Sequence, residues 1–66
     1  MRIISQSREL SINFDNCIIE VSGTEILWVD GSRYRRLGEY GSSRRAKEVF
    51  KDIHNASAAV YSMPTS

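Results

Sequence analysis

Residues 40–56, Tyr40-Gly41-Ser42-Ser43-Arg44-Arg45-Ala46-Lys47-Glu48-Val49-Phe50-Lys51-Asp52-Ile53-His54-Asn55-Ala56, constrain the fold of this chain more than any other stretch. Ala46, Val49, Phe50, Ile53, Ala56 and Val60 fall at i, i+3, i+4, i+7, i+10 and i+14, one apolar stripe of a helix, with Lys47, Glu48, Lys51, Asp52 and Asn55 outside it. A helix with one apolar face needs an apolar surface to lie on. The preceding forty residues read as the sheet that supplies it.

Ile3 and Ile4 open a first strand, and Ser7-Arg8-Glu9 is a turn. Leu10-Ser11-Ile12-Asn13-Phe14 alternates apolar and polar residues, the period-2 signature of a half-buried strand. After Asp15-Asn16 comes the strand Cys17–Ser22, with Ile19 and Val21 on one face. Gly23-Thr24 is a connection of hairpin length. In Glu25–Asp30, Ile26 and Trp28 share one face and Leu27 and Val29 the other, so this strand is central or covered by an oligomer contact. Asp30-Gly31-Ser32 marks a second hairpin, leading into Arg33–Tyr40. Within that last strand Gly38 signals a bulge or a close backbone approach. The fold class expected is α+β: an antiparallel sheet of four or five short strands with one C-terminal helix packed on one face. Residues 1–61 form a single domain, the helix weakens near Ala58–Tyr61, and residues 62–66 are a disordered tail.

A domain of ~60 residues buries only about 60% of the surface its unfolded chain exposes, so self-association is a natural supplement. Cys17 is the only cysteine and His54 the only histidine, which leaves no disulfide and no Cys/His metal cluster. A lone thiol, no apolar leader run and no membrane-length apolar segment point to a cytoplasmic protein. No cofactor is expected. Cys17, His54 and Asp15 show no spacing that links them into a catalytic constellation, so the chain reads as non-enzymatic.

The formal net charge is +1, yet residues 33–51 hold Arg33, Arg35, Arg36, Arg44, Arg45, Lys47 and Lys51 against only Glu39 and Glu48. A helix N-terminus carries roughly +0.5 of a charge and favours acidic neighbours. Arg44, Arg45 and Lys47 stand there instead. An anion held by Gly41, Ser42, Ser43, Arg44 and Arg45 relieves that repulsion: a phosphate, a nucleotide or an acidic side chain of a partner. The plainer account leaves both arginines solvated, with Glu48 pairing Arg44. Arg33-Tyr34-Arg35-Arg36 reads either as a nucleic-acid surface or as a charged edge strand that resists pairing, and the edge strand is preferred. Trp28 and Tyr34 are read as core. Leu27, Val29, Arg33, Arg35 and Arg36 form the expected interaction surface.

Two stretches, Met1-Arg2-Ile3-Ile4-Ser5-Gln6 and Leu37-Gly38-Glu39-Tyr40-Gly41-Ser42-Ser43-Arg44-Arg45-Ala46-Lys47-Glu48-Val49, resemble small proteins of bacteriophages and prophages of Gram-positive bacteria. The shared pattern is a strand ending in Tyr, a Ser cap and a helix with Ala and an aliphatic residue. The resemblance implies a genomic setting and no reaction. It departs at Arg44 and Arg45, where acidic residues often follow the cap. Small phage proteins without catalytic equipment usually act by binding. The function expected is therefore an inhibitor or regulator that binds a host protein, as a homo-oligomer. The alternatives are a binder of a phosphate-bearing small molecule at the helix N-terminus and, more weakly, a nucleic-acid-binding protein.

Overall fold

In the computed structural model, which describes residues 1–66, the chain is α+β, with six short strands in two small sheets and one helix. The strands are β1 (Arg2–Ile4), β2 (Ser11–Asn13), β3 (Ile18–Ser22), β4 (Glu25–Asp30), β5 (Arg33–Glu39) and β6 (Val60–Ser62). The helix α1 spans Ser43–Asn55, and a single 3-10 turn covers Phe14–Asn16.

Strands β3, β4 and β5 form an antiparallel meander with β4 in the centre. Both hairpin loops have two residues, and in each the first is a glycine with positive φ, Gly23 at 60° and Gly31 at 63°. A Gly-X loop of this kind matches the right-handed twist of its strands. The Asp-Gly signal thus located the second hairpin, with Asp30 ending β4 and Gly31-Ser32 making the loop.

A register shift between Ile26 and Leu27 puts Leu27 opposite Arg36 and Ile26 opposite Gly38, so Leu37 is the extra residue of a β-bulge. The bulge turns two consecutive residues, Leu37 and Gly38, toward the core. Gly38 is also the close approach that its sequence context implied. A Cβ there would stand 2.9 Å from Tyr40 Oη, 3.0 Å from Tyr40 Cε2 and 3.1 Å from Met63 Cε.

The other sheet differs from expectation. It is separate and mixed, in the order β2-β1-β6, with β2 antiparallel and β6 parallel to β1. The helix is therefore not C-terminal, and residues 62–66 are not a free tail. After the extended cap residue Ala56 the chain bends at residues 58–59 and enters β6, where the N–H of Arg2 donates to Ala59 O and that of Met63 donates to Ile4 O. Those bonds hold β6 on the open edge of β1, against the helical preference of an Ala-rich stretch. Val60, assigned to the helix stripe by periodicity, is instead an exposed strand residue, 49% accessible.

Both sheets and the helix share one core of Ile3, Ile12, Ile19, Ile26, Leu37, Tyr40, Ala46, Val49, Ile53 and Met63. The tail is ordered by Met63, which is fully buried, and by its carbonyls. Tyr40 Oη donates to Pro64 O at 2.9 Å, and Arg8 Nη1 to Met63 O at 3.0 Å. Gln6 does most. Its backbone N–H reaches Leu37 O, and its side-chain amide takes up both the N–H and the C=O of Glu39 at 2.8 Å. The same Nε2 lies 3.3 Å from Pro64 O and 3.1 Å from Thr65 O. One amide thus joins the N-terminal segment, the C-terminal half of β5 and the chain end.

Candidate interaction face

Helix α1 packs on β3 and β4 through the face that carries Ile19 and Ile26, burying Ala46, Val49 and Ile53 of its own. Strand parity then assigns the opposite face. Pairing sets Ile18 beside Val29 and Val29 beside Tyr34, and in the next row Glu20 beside Leu27 and Leu27 beside Arg36. A third row has Ser22, Glu25 and Glu39. No element of the chain covers this face: Ile18 is 63% and Tyr34 60% accessible, and Leu27 and Val29 are half-buried only by their neighbours.

The exposed face of an antiparallel sheet is usually polar. Here one row is entirely apolar, and Leu27 carries that surface into the next. Arg36 is held in place by Glu25, with Nε to Oε2 at 2.6 Å, and by Glu39 at 3.6 Å. Glu20 has no ionic partner within the chain. It is two strands from Arg36, roughly 10 Å at ordinary strand spacing, too far to pair with it directly.

The expected interaction residues divide between the two faces. Leu27, Val29 and Arg36 share the outer face, whereas Arg33 and Arg35 lie opposite Asp30 and Trp28 and so belong to the helix-side face. Tyr34, expected in the core, is exposed on the outer face instead. Its bulk is left out because the core is on the other side of the sheet. Trp28 is half-buried and packs against the core. With Arg2, Ser11, Ile12, Asn13, Asn16 and Cys17 it lines a shallow depression of about 270 Å³ between the two sheets. Arg2 is engaged there, its Nε and Nη2 donating to Ser11 Oγ at 3.2 Å and Ser11 O at 3.1 Å.

Ile18 and Glu20 were not singled out from sequence. The signal was available in the two-residue Gly23-Thr24 loop, which fixes Ser22 opposite Glu25 and, counting back, Ile18 opposite Val29.

The turn at 41–45 is built as a helix start. Ser42 is the N-cap, its Oγ accepting from Arg45 N at 3.1 Å. Gly41, Ser42, Ser43 and Arg44 are exposed, and neither surface depression of the molecule includes them. Glu48 pairs with Arg45 at i,i+3, 3.4 Å away, and not with Arg44. The guanidinium of Arg45 also donates to Ser66 O, at 3.2 Å from Nη2. Arg44 is free of any such partner, whereas the donors of Arg45 already have acceptors within the chain.

Cys17 sits half-buried, its Sγ 3.6 Å from Phe14 O; burial, and next the Asp15 carboxylate, raise its pKa, so it is a poor nucleophile near neutrality. His54 Nδ1 donates to Phe50 O at 2.8 Å, and the ring packs edge-on against Phe14 and tilted against Phe50. It is a helix-end packing residue. No group of three or more His, Cys, Asp or Glu side chains converges on a metal-sized site, and no helix is long and apolar enough to cross a membrane. The chain matches no protein-family profile, no curated protein and no solved structure.

Proposed function

We propose that this chain acts by binding, as a non-enzymatic interaction protein that docks onto a protein surface through the outer face of β3-β4-β5. The observation that carries the proposal is the uncovered row Ile18-Val29-Tyr34 with Leu27 beside it. Contiguous apolar surface rimmed by polar residues marks interaction sites, and an aromatic among aliphatic side chains is the usual anchor of such a site. Glu20 and Arg36 supply the rim. The resemblance to small phage and prophage proteins points the same way and makes a host protein, or the chain itself, the natural partner.

The test is a photo-crosslinking amino acid placed singly at Ile18, at Tyr34 and, as control, at Lys51 on the exposed side of the helix. Ultraviolet light should give a covalent protein adduct from the first two positions and none from the third. Leu27→Asp should remove both adducts while leaving the circular dichroism unchanged. Adducts from Lys51 alone, or from no position, overturn the proposal.

A further inference from the structure

We infer that the partner fitting this face is a second copy of the same chain, packed face to face about a two-fold axis parallel to β4. The inference rests on the docking face proposed above and adds its occupant and geometry. Its basis is the arrangement of charge across the three strands. Glu20 is on β3, Arg36 on β5, and the apolar Leu27 of β4 separates them in one row. A two-fold axis along β4 lays β3 of one protomer over β5 of the other. Each Glu20 then faces Arg36 of the partner subunit, and Ile18 faces the partner's Tyr34. Leu27, Val29 and, at the polar end of the face, Glu25 meet their own copies on the axis, each Glu25 carboxylate being already paired with Arg36 of its own chain. An isologous interface of this kind forms every off-axis contact twice.

The alternative axis, across the strands, is disfavoured by the same residues. It would set Glu20 on Glu20, Arg36 on Arg36, and the apolar Val29 on Glu25. Like charges juxtaposed in an interface oppose association, and the axis along β4 leaves only the Glu25 pair, which Arg36 neutralises within each chain, so the face favours that orientation. The free carboxylate of Glu20 is what the second copy completes. Arg36 is already held by Glu25 and Glu39, with Nε and Nη1 engaged, and its Nη2 remains available for the incoming carboxylate. Two sheets packed in this way interdigitate at about 10 Å with strands aligned to within about 30°, and Glu20 and Arg36 are then near enough to the axis to stay paired.

The face is small. Three strands at ~4.8 Å spacing and five residues at ~3.3 Å rise cover roughly 14 by 17 Å, less than the ~800 Å² per partner of a standard interface. Association is accordingly expected at micromolar or weaker affinity, on the order of 10–100 µM.

The experiment is sedimentation equilibrium on the purified full chain from ~10 µM to ~1 mM, a range set by that affinity. Wild type should pass from monomer to dimer. Glu20→Arg and Arg36→Glu should each weaken self-association by roughly tenfold or more, by placing like charges across the axis. An equimolar mixture of the two variants should regain wild-type association, because each chain then meets its opposite charge twice. A dilution series of wild-type amide NMR spectra needs no variant and covers the case in which Arg36→Glu does not fold. Its concentration-dependent shifts should centre on residues 18–20, 27–29 and 34–36. A strict monomer at ~1 mM, a dimer whose shifts map elsewhere, or a mixture of two folded variants that fails to recover overturns the inference. If a monomeric chain still gives hetero-adducts from Ile18 and Tyr34, docking through this face survives and only the second copy is lost. If crosslinking fails as well, both fall.

Discussion

Gly38→Ala is the substitution that best tests how the bulge, the helix start and the chain end are packed together. Exchanging glycine for alanine, where the backbone tolerates it, stabilises a protein by about 0.4–1 kcal/mol through the unfolded chain. At Gly38 no positive φ stands in the way, so space decides the sign. The added methyl meets Tyr40 Oη at 2.9 Å, Tyr40 Cε2 at 3.0 Å and Met63 Cε at 3.1 Å. Met63 is flexible but fully buried, and Tyr40 is only 5% accessible, with its hydroxyl fixed on Pro64 O. Neither can withdraw into solvent. Overpacking costs about 1–3 kcal/mol, and displacing the phenol would forfeit a hydrogen bond worth about 1 kcal/mol. The net expectation is a loss of about 1–3 kcal/mol, or roughly 4–8 °C in Tm for each kcal/mol in a domain of this size. Gly41→Ala is the control, because nothing lies within 4 Å of its Cβ position; it should be neutral or slightly stabilising. Urea unfolding of both variants gives the comparison. Tyr40→Phe, which removes the atom nearest the new methyl, should cost less in the Gly38→Ala background than in wild type. A Gly38→Ala protein as stable as wild type, with the Tyr40→Phe penalty unchanged, would show that the strand, tyrosine and tail are not packed as described.

Gln6→Ala should lower stability by about 1–3 kcal/mol, because the N–H and C=O of Glu39 both lose their partner along with two tail carbonyls; faster amide exchange confined to residues 37–39 and 62–66 would identify the cause. Burial, and next their mutual proximity, raise the Tyr40 phenol, and burial, and next the Asp52 carboxylate, raise that of Tyr61, above the ordinary value of 10.0. A phenol with a raised folded-state pKa contributes stability that is complete below its ordinary value and is lost as pH rises through the folded-state value. Wild-type Tm should therefore fall more steeply above pH ~10 than that of a Tyr40→Phe/Tyr61→Phe variant, with parallel curves from pH ~7 to ~9; parallel curves throughout would refute the linkage.

The contrast between what was and was not legible follows the range of the forces involved. Helix α1, a serine cap at Ser42 or Ser43, both two-residue hairpins and the bulge signalled by Gly38 were readable because each is set by residues within a few positions of one another. The parity of β4 was readable too, since strand side chains alternate, and with it Leu27 and Val29 as a second apolar face. Strand β6 was not. Ala56-Ser57-Ala58-Ala59-Val60 continues the helical pattern, and only β1, some sixty residues earlier in the chain, offers the open edge that makes an extended conformation better. The same holds for the tail, whose order depends on Met63 filling space beside Gly38 and on carbonyls that find Gln6, Arg8, Tyr40 and Arg45 as donors. The docking face shows both limits in one place. Alternation alone placed Leu27, but joining it to Ile18, Tyr34, Glu20 and Arg36 required the register of three strands and the side on which the helix lies. Local sequence determined the strands and turns up to residue 39 and the helix that follows; long-range hydrogen bonds and the packing of one small core decided that residues 60–62 are a strand, which edges pair and which apolar face was left uncovered.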